Sequence, residues 1–479
     1  MTRISHRNSM ALHVGDIPNE PAHSSTVEAD TSLTETVSAF ENHNTHIHGA
    51  HSSSIGSASS ERQQVVQDTL IQSHSQRISQ NPQGVQAKFD KLATSPFVFF
   101  RGTADLFYQD ISKDTSDHPK VLCNGDVHPE NFGVMHGSDG ELIFGLNDFD
   151  EAHSAPFSWD IKRGITGFEL ASIEKGFSSD EREKITEKFI KGYRSALKDI
   201  AEEPDKLDHR FTSENSPKLI KKLLKKAGKK TREEFLQKRI DLESGTFLQT
   251  DEIQPVSERI DEFQAVLNDY RGSLGEDAPQ DSDFFKVKDV AVKTQSGTGS
   301  VGLQRYYVLI EGPEGGDEPR ILELKQEENS VMQRHTPPNL MQLRMGGHPP
   351  NGERVAKAHD VQVQDGDRFY GHAEIGGQSF LVRERSPHKS SIKLEKLDAD
   401  EMEDYAKVCG KILAQAHARS AEQSVGGKSL QDSMLQIVQD DAFSESLLDF
   451  AKDMGEQVTH DHSVFVKAHQ EGAFAFGES

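Results

Sequence analysis

The sequence predicts an α+β protein with a small antiparallel β lobe and a larger helical lobe. Two short apolar runs, at residues 121–123 and 142–146, are typical of buried strands, and acidic residues follow each of them. A second group of strand-forming residues flanks a glycine-rich segment between residues 287 and 325. Apolar residues three and four positions apart, as in residues 402–416, predict amphipathic helices elsewhere in the chain.

We divide the chain into four parts. Residues 1–60 are rich in Ser, Thr, His, Asn and Glu with little apolar periodicity, which predicts a disordered low-complexity tail. Residues 61–280 contain the acidic motifs and belong to the helical lobe. Residues 281–390 form the β lobe, and residues 391–479 supply helices that complete the larger lobe. A chain of 479 residues is long enough for this organisation, since domains commonly have about 150 residues.

Composition limits the partners and the location. The net charge is −24, which argues against binding to nucleic acid or to anionic membranes, because cationic patches bind phosphate backbones. No apolar run approaches the roughly 20 residues that span a bilayer. The two cysteines are too few for a disulfide framework. We therefore expect a cytoplasmic protein in a reducing compartment.

The first acidic motif, Gly-Asp-Val-His-Pro-Glu-Asn, follows the first apolar run. Its glycine permits a tight turn that presents Asp126, and Asn131 follows in the same loop. The second apolar run ends at Asp148 and Asp150. A turn signal at residues 137–140 predicts that the two runs pair as a hairpin, which would bring these acids and the amide together.

Phosphoryl transfer on Mg²⁺ uses such a set of groups. Mg²⁺ prefers oxygen ligands and takes one or two carboxylates beside water and phosphate oxygens. In kinases an Asp accepts the proton of the substrate hydroxyl, an Asn in the same loop binds metal, and an Asp beyond the next strand holds the metal. We therefore predict Asp126 as the catalytic base, Asn131 and Asp148 as catalytic Mg²⁺ ligands, and Asp150 as an auxiliary ligand or loop organiser. The alternative is that these residues only form Asx turns.

The glycine-rich segment contains Gly297, Gly299 and Gly302 in the pattern Gly-x-Gly-x-x-Gly. A dinucleotide-binding fold requires a helix after such glycines, whereas strand formers follow here. The order strand, glycine loop, strand is that of kinases, in which backbone N–H groups cover the nucleotide phosphates. We predict this role for the three glycines; a flexible hairpin turn is the alternative.

The next strand delivers Lys325. We predict that Lys325 contacts the α- and β-phosphates of ATP, with Glu353 at the start of a downstream helix as its ion-pair partner. Glu327 and Glu328 are competing partners. In kinases the glycine loop and the lysine precede the catalytic loop, whereas here they follow it. The two assignments together therefore predict a two-lobed kinase-like fold that is circularly permuted.

Several blocks of the sequence resemble known families. These blocks are Ser-Pro-Phe-Val-Phe-Phe-Arg-Gly (95–102), Cys-Asn-Gly-Asp-Val-His-Pro-Glu-Asn-Phe-Gly (123–133), Leu-Asn-Asp-Phe-Asp-Glu (146–151), Trp-Asp-Ile-Lys-Arg (159–163), Gly-Ser-Val-Gly (299–302), Gly-Glu-Arg-Val (352–355) and Ala-Gln-Ala-His-Ala-Arg-Ser (414–420). Across residues 85–470 they resemble the uncharacterised bacterial family called domain of unknown function 2252. The second block is also similar to the catalytic loop of aminoglycoside and choline phosphotransferases. The relation of the bacterial family to kinase-like folds implies ATP and Mg²⁺ without naming a substrate, although Asn124 and Pro129–Glu130 depart from its catalytic-loop block.

We predict an ATP- and Mg²⁺-dependent phosphotransferase that acts on an unidentified hydroxyl substrate, either a small molecule or a protein. Transfer of AMP in place of phosphate is also compatible with these motifs. One alternative is a nucleotide-binding regulator without turnover. Another is a two-metal phosphoesterase in which Asp148 and Asp150 bridge the metals, but this leaves Lys325 without a role. A basic segment at residues 218–232 predicts an amphipathic helix with a solvated basic face, or a docking site for an acidic substrate.

Overall fold

The computed structural model describes residues 53–114, 116–294, 302–313, 318–337, 349–422 and 427–476. From residue 54 onward, the described residues form one compact unit. Most of the predicted N-terminal tail, residues 1–52, lies outside the described residues.

The described residues form helices throughout the chain. In chain order they are α1 (Ser53–Gln80), α2 (Pro82–Leu92), α3 (Pro96–Gly102), α4 (Ala104–Ile111), α5 (Phe157–Glu174), α6 (Ser179–Glu202), α7 (Lys218–Ala227), α8 (Arg232–Leu236), α9 (Ile260–Ser273), α10 (Asn351–Gln362), α11 (Ala399–Glu422), α12 (Gly427–Gln439) and α13 (Asp441–Gln470). None of the helices in this part of the chain is both long and apolar enough to cross a membrane.

The strands pair only in the antiparallel sense among the described residues. In chain order they are β1 (Lys120–Cys123), β2 (Phe132–His136), β3 (Leu142–Leu146), β4 (His153–Pro156), β5 (Ile240–Asp241), β6 (Thr246–Phe247), β7 (Ile253–Pro255), β8 (Val287–Lys293), β9 (Arg305–Ile310), β10 (Arg320–Gln326), β11 (Gly371–Ile375), β12 (Gln378–Glu384) and β13 (Ser390–Ser391). The prediction of an α+β protein with antiparallel sheets is confirmed.

The largest sheet has six strands in the order β11-β12-β10-β9-β8-β7. Its β8–β9 pairing confirms the predicted strands on either side of the glycine-rich segment. Helix α9 packs against β8 and β11, and its apolar residues share a buried core with the sheet. Because β7 and α9 belong to this sheet and its core, the β part begins earlier in the chain than residue 281.

The helical part is built around α5, α6, α11 and α13. Helices α6 and α11 form the most extensive helix–helix contact among the described residues. Gly192 makes this close approach possible, because a Cβ atom there would lie 2.1 Å from the carbonyl oxygen of Lys407. Helix α6 begins with a serine cap: the Ser178 side chain accepts from the backbone N–H of Glu181, which forms a capping box with it.

The predicted hairpin between the first two apolar runs is wrong. Strand β1 pairs with β4, whereas β3 pairs with β2, which the turn at residues 137–140 joins to it. The physical reason is the loop after β1, which separates that strand from the hairpin and lets Phe132–His136 become the partner of β3. The acidic residues still meet, because β1 and β3 each end beside the same loop.

Candidate functional site

A tight loop after β1 carries the first acidic residue. Gly125 has φ of 84°, and a Cβ atom there would lie 2.1 Å from the carbonyl oxygen of Glu151, so the position requires glycine. A single 3₁₀ turn at Pro129–Asn131 then folds the chain back. The Nδ2 atom of Asn131 donates to the backbone oxygen of Asp126 at 2.8 Å and to its Oδ2 at 3.3 Å. Because the amide nitrogen is used in this way, the amide oxygen is the atom through which Asn131 could bind a cation.

Asp160 of α5 holds this loop from beneath. Its fully buried carboxylate accepts hydrogen bonds from the backbone N–H groups of Asn124, at 2.6 Å, and Gly125, at 2.9 Å. The Nε2 atom of His417 on α11 lies 3.0 Å from the same carboxylate, and the Tyr193 hydroxyl lies 2.8 Å from its Nδ1. Asp160 belongs to the Trp-Asp-Ile-Lys-Arg block (159–163), which the sequence offers as an anchor for this helix behind the acidic loop. An acid at the start of a largely apolar helix was the available signal.

Asp126 forms an ion pair with Arg163, which is also on α5. The Nη2 atom of Arg163 donates to Oδ1 of Asp126 at 2.8 Å, and the guanidinium lies over the Phe100 ring. Burial by itself raises the pKa of Asp126, but Arg163 and His128 outweigh it and bring the pKa well below its usual value. Asp126 is therefore an ionised hydrogen-bond acceptor over the ordinary pH range.

Asp148 and Asp150 follow β3 and face the same space. The Asn124 side chain donates to the backbone oxygen of Asp148 at 2.7 Å, which ties this segment to the loop after β1. Burial and the neighbouring Asp150 carboxylate raise the pKa of Asp148 to about 6. For Asp150, burial acts in the same direction, but Lys325 outweighs it and keeps the pKa below its usual value.

The donor atoms of this group suit a hard divalent cation. Two carboxylates and the amide oxygen of Asn131 line one cleft, and such oxygen ligands are those that Mg²⁺ prefers. Repulsion between the Asp148 and Asp150 carboxylates contributes to the raised pKa of Asp148. A bound cation would offset this repulsion, since it would stabilise both carboxylates in the charged form. The predicted ligands Asn131, Asp148 and Asp150 therefore fit Mg²⁺.

Lys325 reaches this group from β10 of the six-stranded sheet. Its Nζ atom forms an ion pair with Asp150 and lies 3.3 Å from Oε1 of Glu327. Although burial lowers the pKa of Lys325, these acids outweigh it, so the ammonium remains charged. Burial raises the pKa of Glu327 to about 8.

The predicted ion pair between Lys325 and Glu353 is not formed in the structure. Glu353 lies in the first turn of α10 and pairs with Lys357 one turn later, at 2.6 Å. Glu327, which the sequence offered as a competitor, is an acidic side chain that lies beside Lys325 instead. The reason is local: Glu327 follows Lys325 by two residues, so both side chains leave the extended chain on the same side.

One cleft of about 300 Å³ collects the predicted residues, since Asp126, Asn131, Asp148, Asp150 and Lys325 all line it. Further basic side chains also line it: Arg77, Lys88, Arg101, Arg305, Arg334, Arg383 and Lys389.

The glycine segment is only partly described. Gly297 and Gly299 lie outside the described residues. Gly302 lies beside α2 and lines a neighbouring groove, while the next residue, Leu303, reaches the cleft itself.

A second group of possible metal ligands lies behind the cleft. Cys123, Asp160 and His417 place one ligand atom each within 4.8 Å of one another. Both oxygens of Asp160 already accept backbone hydrogen bonds, and the two nitrogens of His417 face Asp160 and Tyr193. A metal ion would have to displace these bonds, so the group fits a structural role in holding the loop.

Comparison with known proteins places the chain in a family without assigning it an activity. No curated protein and no solved structure matched the chain. A family profile matched residues 80–468, which is most of the chain and includes every residue of the cleft outside α1. The chain therefore belongs to the family described as uncharacterized protein conserved in bacteria (DUF2252).

Proposed function

We propose that this protein is an ATP- and Mg²⁺-dependent phosphotransferase that acts on a hydroxyl group. The observation that carries the proposal is the meeting of Asp148, Asp150 and Lys325 in one buried cleft, although Lys325 lies on a different sheet and 175 residues from Asp150. Asp126 and Asn131 complete the group in the order that kinases use.

Each residue has a proposed task. Asn131, Asp148 and Asp150 would hold Mg²⁺, which when bound neutralises charge on the transferred phosphoryl group. Lys325 would contact the α- and β-phosphates of ATP, with Glu327 beside it. Asp126 would accept a hydrogen bond from the attacking hydroxyl and orient it.

The proposal includes a circularly permuted kinase-like fold. The segment from β8 to β12 would take the part of the smaller lobe, with the loop between β8 and β9 as the phosphate cover. The helices before and after it in the chain would form the larger lobe. In support, β8, β9 and β10 lie side by side, and Lys325 on the third of them faces the acidic residues.

One observation favours a second candidate, a nucleotide-binding regulator without turnover. The low pKa of Asp126 and its pairing with Arg163 make it a weak proton acceptor in the absence of substrate. Turnover would then require the acceptor hydroxyl to replace part of that ion pair.

Transfer from radiolabelled ATP distinguishes the two. We expect the wild type with Mg²⁺ to form ADP and to label at least one compound in a panel of hydroxyl acceptors. Asp126→Asn keeps an acceptor oxygen for Arg163, so it should bind Mg²⁺ and ATP while losing about 100-fold or more in rate. Binding without turnover in the wild type would select the regulator, and absence of both binding and turnover would reject both candidates.

A further inference from the structure

Lys88 of α2 is a buried charge that the proposed phosphoryl transfer does not use. It is 5% exposed and lines the cleft. Within the part of the chain that the structure describes, it forms a hydrogen bond with His74 of α1, at 2.7 Å, and no ion pair. A buried ammonium is costly without an anionic partner, which makes the position a candidate for binding an anion.

His74 is oriented to accept from Lys88. Its Nδ1 atom lies 2.9 Å from the backbone oxygen of Leu70, and because a carbonyl oxygen can only accept, Nδ1 carries the proton. The Nε2 atom is therefore the unprotonated one and faces the lysine. Burial lowers the pKa of His74 well below its usual value, so it remains neutral and does not supply the missing negative charge.

Two further features that can favour an anion line the cleft. The Nε atom of Arg101 is buried and has no hydrogen-bond partner among the described residues, although its Nη1 pairs with Glu130. Thr103 and Ala104 line the cleft at the start of α4, where no side chain caps the helix. The N-terminus of a helix favours negative charge.

The position of these groups relates them to the acceptor. Glu130, which Arg101 pairs with, belongs to the loop that carries Asp126, and Asp126 is the residue proposed to orient the hydroxyl. Lys325 lies on the sheet, where the nucleotide is proposed to bind. Lys88 and Arg101 come from helices α2 and α3, and Lys88 lies near enough to Asp126 for that carboxylate to act on its charge.

We propose that Lys88, held by His74, together with Arg101 and the start of α4, binds an anionic group of the phosphoryl acceptor. This assignment rests on the proposed phosphotransfer. The acceptor is then a hydroxyl compound that also carries a phosphate or carboxylate. Burial and nearby Arg77 lower the pKa of Lys88 to about 7 in the free protein, and a bound anion would favour the charged form of its side chain.

Calorimetric titration of the full chain with inorganic phosphate tests the site. The titration is made with and without a saturating Mg²⁺ complex of a non-hydrolysable ATP analogue, which fills the γ-phosphate position. We expect phosphate to bind in both conditions and Lys88→Met to weaken it about tenfold or more, the usual loss for a charged hydrogen bond. Lys91→Met, on the exposed side of the same helix, is the matched control and should bind as the wild type does.

Arg101→Gln repeats the test at a less buried position and should also weaken phosphate binding. A structural role for Lys88 would change the unfolding temperature while leaving phosphate affinity unchanged, and that result overturns the inference. Equal weakening of the ATP analogue by Lys88→Met also overturns it, because Lys88 would then be a nucleotide contact. A further outcome is phosphate binding that depends on Lys88 in a chain that fails to bind the ATP analogue. That outcome supports the anion site but rejects the proposed function and, with it, the acceptor assignment.

Discussion

Asp148 connects the protonation of the cleft to the binding of a cation. Burial and Asp150 raise its pKa to about 6, because the two carboxylates share a space too small for two free negative charges. A proton on Asp148 and a metal ion therefore compete for the same carboxylate.

We predict that Mg²⁺-dependent ATP binding weakens as the pH falls through about 6. Below that pH the raised pKa leaves Asp148 protonated, so the metal must displace a proton, and affinity should fall about tenfold for each pH unit. The measurement is the dissociation constant across this range, corrected for protonation of ATP itself. Asp148→Asn should give weak and pH-independent binding. A wild-type affinity that does not change after the correction would contradict this role.

Glu327 provides a prediction about stability. Its side chain is buried, and its pKa of about 8 in the folded protein exceeds the ordinary 4.5 of the unfolded chain. The folded state therefore holds this proton more tightly, and its stabilising effect is lost as the pH rises from 4.5 through 8.

Glu327→Gln removes that loss. At about pH 9 the variant should exceed the wild type by about 1–3 kcal/mol in free energy of unfolding, and the difference should shrink towards pH 5. Thermal unfolding at the two pH values measures it. A variant less stable than the wild type at high pH would show that Lys325 holds Glu327 as a needed carboxylate.

At the scale of elements, α5 determines where the acidic loop lies. Asp160 and Arg163 are one turn apart on this helix, and they hold the backbone and the carboxylate of the same loop. The loop is thus held in place by two side chains of a buried helix.

Asp160→Ala should be strongly destabilising. It leaves two buried N–H groups and His417 without their acceptor, which costs about 3–5 kcal/mol. Asp160→Asn keeps one oxygen and should lie between the alanine variant and the wild type. Asp199→Ala, at an exposed position of α6, is the control and should change stability by less than about 0.5 kcal/mol. Denaturant unfolding of the three variants gives the order, and a small loss for Asp160→Ala would contradict the account.

Short-range patterns in the sequence allowed candidate site residues to be predicted, whereas they did not reveal long-range contacts. Asp126, Asn131 and Asp148 could be proposed as candidates because spacing within a loop and a strand end is local information. The hairpin prediction failed because strand pairing depends on contacts far apart in the chain. Lys88 illustrates a further limit: it lies on the apolar stripe of α2 with Val85 and Phe89, but its burial becomes apparent only when α1 packs over it.

On the scale of the whole molecule, the two parts of the candidate site come from stretches that are far apart in the sequence. Strands and helices could be predicted from the periodicity of apolar residues, and so could the position of Lys325 on a strand. The meeting of Lys325 with Asp150 could be expected only by assuming a permuted fold, since no local pattern relates the sheet to the acidic loop. The same assumption predicted Glu353 as the ion-pair partner of Lys325, whereas in the structure Glu353 pairs with Lys357 on α10.

The most direct test of the account is the thermal stability of the full chain titrated with ATP, with and without Mg²⁺. A ligand that binds only the folded state raises the unfolding temperature by mass action. We predict a Mg²⁺-dependent rise for the wild type and for the control Lys357→Met, whose side chain lies outside the cleft, and its loss in both Asp148→Ala and Lys325→Ala. No rise at millimolar ATP, or an undiminished rise in the two cleft variants, would contradict the claim that these residues form one nucleotide site.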